Sequence, residues 1–143
     1  MRIIFKSPNT KEEFAKYYQL RWEILRKSLG QKQGSELDEY ESLSHHVMAI
    51  DNDIVGVGRI HEIGAQEFQI RYMGIREEYQ NLKIGSKLLS ELEVYAKSSG
   101  AKKVILHARE KALSLYIKNG YKIIKKSHKL MDVIQHYLME KEI

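Results

Sequence analysis

Apolar positions recur with two different periods along this chain, and the changes from one period to the other mark its elements. Phe14, Tyr18, the Arg21/Trp22 pair, Leu25 and Leu29 fall three or four residues apart, which predicts a helix with one buried face. Thr10 and Glu13 just before it have the spacing of a capping box, and Gly30 is placed to end it. A second helical stripe, Ile84, Leu88, Leu89, Leu92, Tyr95 and Ala96, predicts a helix from about Leu82 to the stop at Gly100. A shorter one, "EKALSLYIKN", runs into Gly120. Between these lie runs rich in β-branched and aromatic residues. "MRIIFK", "FQIRYMGI", "KKVILHA", "YKIIKK" and "VIQHYLMEKEI" each predict a strand. "HHVMAIDNDIVGVGRIHEI" predicts two, folded about Asp51-Asn52-Asp53.

The order is therefore strand, helix, three strands, helix, strand, helix and one or two further strands. This is an α/β pattern, a mixed central sheet flanked by helices on both faces. With no internal repeat, low-complexity tract or linker, it predicts a single domain over residues 1–143. "QKQGSELDEYES", between the first helix and the hairpin, has no period and predicts an acidic loop.

The start of the second long helix poses a chemical question. "YQNLKIGSKLL" leads into it without one acidic side chain, although free N–H groups at a helix start carry positive partial charge and ordinarily attract Asp or Glu. Lys83 and Lys87 add further positive charge. A strand, a turn and such a helix mouth form a ready site for an anion. The stretch has neither G-x-x-x-x-G-K-[ST] nor G-x-G-x-x-G, which argues against a P-loop or a dinucleotide fold.

Composition narrows the field. The chain has no cysteine, which excludes disulfides and thiolate-bound metal, and the adjacent pair His45-His46 would face opposite sides of a strand, so no metal site is expected. No apolar run reaches the roughly 18 residues of a membrane span, and the N-terminal apolar run is too short for a signal peptide, so a cytoplasmic location is expected. A net charge of +5 would suit a polyanion. The basic residues are dispersed apart from Lys125, Lys126 and Lys129, and no nucleic-acid partner is expected.

The pattern Gln80-x-x-Lys83-x-Gly85, preceded by "YMGI" and followed by the long amphipathic helix, resembles the signature of the GNAT N-acetyltransferase superfamily, Gln/Arg-x-x-Gly-x-Gly/Ala. "LHAREKALSLYIKNGYKI" resembles that family's later block, a strand and a tyrosine-bearing helix ending in Gly-Tyr or Gly-Phe. "LRWEILRKSLGQKQGSELDEYESLSHHV" and "IQHYLMEK" resemble small single-domain bacterial members, so the resemblance covers nearly the whole chain. It implies acetyl-CoA as co-substrate, with its pyrophosphate held by Gln80, Asn81, Leu82, Lys83, Ile84, Gly85 and Ser86. It implies that the pantetheine arm lies against Met73, Gly74 and Ile75 like an added strand. Lys83 departs from the signature by replacing its first glycine. It keeps its backbone N–H available provided φ stays negative, and its ammonium adds a partner for phosphate.

Transfer to an amine needs a neutral nucleophile and a protonated leaving thiolate. An alkyl ammonium is only about 0.1% neutral at pH 7, an obstacle of about 4 kcal/mol. The resemblance assigns proton return to Tyr116. The strand glutamate that several members use as base is matched here by Gln69, which cannot accept a proton. Glu67, His61, His107 and His136 remain candidates by chemistry. The acceptor is expected to be a small-molecule or side-chain amine. Glu36, Asp38, Glu39 and Glu41 read as a solvated acidic loop or as a lure for a cationic amine, and Arg59 and Arg71 could equally hold a carboxylate-bearing one. A homodimer is compatible with the reading. The alternative is a non-catalytic acyl-CoA-binding regulatory module, which Gln69 favours.

Overall fold

A computed structural model describes residues 2–143 and contains one seven-stranded sheet with three helices. In chain order the elements are β1 (Ile4–Lys6), α1 (Lys11–Leu25), β2 (His45–Asp51), β3 (Asp53–Gly64), β4 (Glu67–Ile75), α2 (Ile84–Ser98), β5 (Lys103–Arg109), α3 (Leu113–Lys118), β6 (Lys122–Leu130) and β7 (Ile134–Glu142). Met1 of the expected first strand lies outside the described residues. The strands lie in the order β1-β2-β3-β4-β5-β7-β6, and every neighbouring pair is antiparallel except β4 with β5.

The capping box forms as its spacing predicts. Thr10 Oγ1 accepts from the Glu13 N–H at 3.0 Å, and Glu13 Oε1 accepts from the Thr10 N–H. The helix stops at Leu25, short of the predicted end. A turn of 3₁₀ helix over Lys27–Leu29 carries the chain to Gly30, whose φ of 70° only glycine adopts without cost. α2 begins at Ile84, two residues later than its apolar stripe predicts, with Lys83 as N-cap.

Two layers of core flank the sheet. Tyr17 and Leu20 of α1 pack with Met48, Ile54 and Val57 on one face. Leu88, Leu89, Leu92 and Ala96 of α2 pack with Val104, Leu106, Ala108 and the α3 residue Tyr116 in the larger cluster on the other. α1 sits very close to β4. A Cβ added to Gly74 would come within 2.8 Å of Ile24 Cγ2, so the glycine makes room for the helix and no bulge lies at that position.

The bulge lies nearby, at Tyr72. Arg59 pairs with Arg71 and Val57 with Gly74, so β4 has one more residue than β3 over this interval. Tyr72 takes up the excess with φ of 55°. A bulge bends its strand and increases local twist. β4 pairs with β5 only from Glu67↔Lys103 to Ile70↔Leu106, while β5 continues to Arg109 paired with β7. The two strands thus part beyond Ile70, and among the described residues the β5-facing backbone edge of residues 71–75 has no strand beside it.

Candidate active site

The chain reaches the mouth of α2 directly from this free edge. Gln80 Nε2 donates to the Ile75 carbonyl at 3.1 Å and closes the turn, so its side chain has a structural task. Among the described residues the backbone N–H groups from Asn81 to Ser86 donate to no acceptor. No side chain caps the helix, and its first turn holds no acid. Asn81 and Lys83 have φ of 64° and 66°. The condition set for Lys83, a negative φ, is therefore not met. The backbone here takes the left-handed conformation that explains a glycine in the signature, and Lys83 adopts it at the cost borne by any residue with a Cβ.

The other predicted residues divide by role. Leu82 is exposed and Ile84 is buried in the core, so Ile84 offers the mouth only its backbone. A Cβ on Gly85 would meet Leu115 Cδ2 of α3 at 3.3 Å, so this glycine also lets α3 approach. Ser86 Oγ accepts from Asn119 Nδ2 at 2.9 Å. Ile75 is buried, Gly74 lies beneath α1, and Met73 lines the opening between β4 and β5.

That opening is a cavity of about 350 Å³. Tyr116 lines it from the α3 side, only 7% exposed and with its ring edge-on to Tyr121 at 5.9 Å. Its hydroxyl has no hydrogen-bond partner among the described residues. Burial pushes its pKa up to about 12, with the Arg109 guanidinium acting in the opposite direction. Gln69 also lines the cavity. His107 and His136 do so as well, joined by His128, which the sequence reading did not single out; Glu67 and His61 are not in the lining.

The three histidines come from β5, β6 and β7. The His128 ring lies 5.4 Å from that of His107 and stacks on that of His136 at 4.3 Å. His136 Nδ1 is 3.0 Å from the Ile134 carbonyl, which can only accept, so Nδ1 bears the proton and Nε2 keeps a free lone pair. His107 Nδ1 is buried with no partner among the described residues. Burial lowers all three pKa values, that of His136 to about 4, so the rings are neutral at pH 7. Among the described residues no group of His, Asp and Glu is arranged to hold a metal ion. His46, buried, bonds Tyr17 and the Glu41 carbonyl, and His45 stacks on Tyr95.

Two of the loop's acids, Asp38 and Glu41, are engaged by arginines and do not present free charge to an amine. Asp38 takes both Nη atoms of Arg59, at 2.6 and 3.0 Å, and also Arg71 at 2.9 Å. Glu41 Oε2 takes Arg21 and Arg59, each at 2.8 Å. Arg21 and Arg59 are 0% exposed. The bulged Tyr72 is packed among guanidiniums, with those of Arg21, Arg59, Arg71 and Arg26 at 4.6, 5.0, 4.8 and 5.5 Å from its ring centre. Such cation–π contacts stabilise cations out of water and hold the strained residue in place. Arg26, Arg71 and Arg109 also line the cavity, whereas no Asp or Glu does.

Residues 14–121 match the sequence model of the Acetyltransferase (GNAT) family. The chain belongs to the GNAT acetyltransferase family. An uncharacterized N-acetyltransferase of Bacillus subtilis (strain 168), YjcF, is 26% identical over 132 residues, covering 92% of this chain and 94% of that protein. Among solved structures, Escherichia coli ElaA superposes with a TM-score of 0.85 at 17% identity, covering 99% of this chain and all (100%) of that one. PaiA N-acetyltransferase from Thermoplasma acidophilum, solved in complex with coenzyme A, superposes with a TM-score of 0.76 at 19% identity, covering 100% of both chains. The GNAT fold thus accounts for the mixed sheet, and this protein is an acetyltransferase of that family. Among the described residues no helix is long and apolar enough to cross a membrane.

Proposed function

We propose that this GNAT chain moves the acetyl group of acetyl-CoA to a primary amine by direct attack, within a single domain over residues 1–143. The observation that carries the reading is the continuity of three features. The free β4 edge at Met73, Gly74 and Ile75 offers backbone partners to a pantetheine arm. The unpaired amides from Asn81 to Ser86 suit its pyrophosphate, and Tyr116 faces the cavity between β4 and β5. The neighbour solved with coenzyme A supports the same use of this fold. Gln80 closes the turn, Leu82 and Ile84 contribute backbone, and Lys83 adds an ammonium beside the phosphates.

Acetyl-CoA, when bound, supplies the thioester carbonyl. Burial holds the Tyr116 hydroxyl protonated throughout the neutral range, so it is available to donate toward a leaving thiolate. The nearby Arg109 stabilises any negative charge left on the phenol oxygen. Gln69 cannot serve as base, and the cavity meets the amine's need in another way. A positive field depresses the pKa of an ammonium, because the charged form is repelled and the neutral form is not. Arg26, Arg71 and Arg109 supply that field. The displaced proton leaves through water, because His136, with its pKa lowered to about 4, is too weak a base to hold it at neutral pH.

Thermal shift with acetyl-CoA tests the reading first. Stabilisation should rise with concentration, because a ligand of the native state stabilises by mass action. Thiol release with a panel of amines tests turnover. No shift at millimolar acetyl-CoA, with a dephospho analogue equally inert, sinks the cofactor site. Binding without turnover of any amine favours the non-catalytic acyl-CoA-binding module.

A further inference from the structure

Two guanidiniums in the cavity have no counter-ion among the described residues. Arg26 is 8% exposed, and its Nη1 donates to the Leu25 carbonyl at 3.0 Å. Arg109 Nη2 donates to the same carbonyl at 2.9 Å. One neutral oxygen thus gathers two cations from distant parts of the chain, the end of α1 and the end of β5. Neither pairs with a carboxylate among the described residues, while every other arginine lining or bordering the cavity does. Arg71, its side chain 39% exposed, stands at the same opening with only one nitrogen engaged by Asp38.

Like charges brought together out of water destabilise the free protein, so such an arrangement is kept for what it binds. A guanidinium presents its N–H groups as a planar fork that matches an oxyanion in two-point contact. A pantetheine arm has no charge to offer here, and the pyrophosphate is assigned above to the α2 mouth, whose residues do not line this cavity. Apart from the charge that develops transiently on the thioester during transfer, the remaining source of negative charge is the acceptor.

We infer that the acceptor is a small amine that also bears a carboxylate, which Arg26 and Arg109 hold with help from Arg71 while the amino end faces the thioester. The inference rests on the acetyl-transfer reading above and names its substrate class. It explains why the acid-rich loop is spent on internal ion pairs: Asp38 and Glu41 neutralise Arg59 and Arg21 and leave the cavity positive. It also fits the chemistry, because the field that attracts the carboxylate lowers the proton affinity of the amine. Polycationic acceptors, the choice suggested by the loop's composition, are repelled by the same field.

The test uses the full chain saturated with coenzyme A, after its binding has been established separately, so that failure of the cofactor site is recognised beforehand. Glutarate and 1,5-diaminopentane have equal carbon chains and opposite charge. Glutarate should stabilise the loaded protein in thermal shift, and diaminopentane should not. In turnover with acetyl-CoA, an amino acid should exceed its own carboxamide at least tenfold in kcat/KM, mainly through KM. Arg109→Gln and Arg26→Gln should each bring that ratio toward one and abolish the glutarate effect, with Arg109→Lys restoring part of it. Acetyl-CoA affinity should move less than twofold. Because each Gln variant removes an uncompensated buried charge, its ligand-free melting temperature should hold or rise, which separates lost binding from lost folding. Preference for diaminopentane, equal rates for acid and amide, or a glutarate effect untouched by both Gln variants would overturn the assignment.

Discussion

Asn119 Nδ2 donates both to Ser86 Oγ at 2.9 Å and to the Leu115 carbonyl at 2.8 Å, joining the end of α3 to the first turn of α2. The helix that presents Tyr116 is thereby tied to the helix mouth assigned to pyrophosphate. Asn119→Ala removes both bonds and should lower stability by about 1–2 kcal/mol, since each is worth roughly 0.5–1.5. Coenzyme A affinity should fall severalfold. Asn119→Asp adds a negative charge beside an anion site and should weaken coenzyme A further. Calorimetric titration of the three proteins measures the order, and equal affinities would detach α3 from the cofactor site.

Lys83 stands where φ is 66°, at the N-cap of α2. Left-handed backbone costs a residue with a Cβ roughly 1–2 kcal/mol, and glycine returns part of that gain through its own chain entropy. Lys83→Gly should therefore raise stability by about 0.5–1 kcal/mol. Lys83→Glu keeps the strain and reverses the charge, so it should weaken coenzyme A more than Lys83→Gly does. Urea unfolding and cofactor titration on the same samples check both effects. Equal affinity in all three proteins would move the anion elsewhere.

Asp38 neutralises Arg59, whose side chain is fully buried, while also holding Arg71. Leaving a buried charge with no partner costs about 3–5 kcal/mol, but Glu41 still holds Arg59 at 2.8 Å when Asp38 is removed, so the loss is smaller. Asp38→Ala should cost about 2–3 kcal/mol, below that range and well above the cost of the same change at Glu39, which is on the surface and in no ion pair among the described residues. Denaturant midpoints for the two variants settle it. A loss below about 1 kcal/mol at Asp38 would mean that water reaches Arg59.

All six histidines of the chain have pKa values lowered by burial, His136 to about 4. The sign follows from linkage: the unfolded chain takes up protons near pH 6.5 and the folded one resists until lower pH. The stability these groups contribute is complete above about pH 6.5 and is lost as pH falls toward about 4. His136 faces His107, His128 and Arg109, all of which oppose its protonation. Urea midpoints should therefore drop between pH 7 and pH 4, and His136→Gln should flatten part of that slope. A midpoint independent of pH over this window would contradict the burial of these rings.

The strands and helices were legible because apolar period and cap chemistry are local. Thr10 and Glu13 announce the start of α1, and the acid-free run from Gln80 to Lys87 announces an anion site. Tyr72 gave no such sign, since the bulge depends on cations from α1, β3 and β4 converging on its ring. Asp38 and Glu41 read as solvated acids because their partners lie 18 to 33 positions away in the chain. The sign of φ at Lys83 is a property of the turn and is written only in the glycine that it replaces. Arg109 could have been found: it alternates with the buried Val104, Leu106 and Ala108 of β5, and so shares the face of His107.

Tyr116 lines the cavity with a hydroxyl that no group among the described residues engages and a pKa pushed up to about 12. Tyr116→Phe keeps the ring against Tyr121 and deletes only the proton that the proposed role requires. Melting temperature and acetyl-CoA affinity should change little, while kcat falls by roughly 10²–10⁴, the usual worth of a positioned acid. An acyl donor with a more acidic thiol needs less help to depart and should show a smaller defect. In the wild-type protein kcat should decline only at strongly alkaline pH, since the acid stays protonated up to its raised pKa. A Tyr116→Phe protein that turns over its best amine at the wild-type rate would make the tyrosine a packing residue and leave departure of the thiolate to solvent.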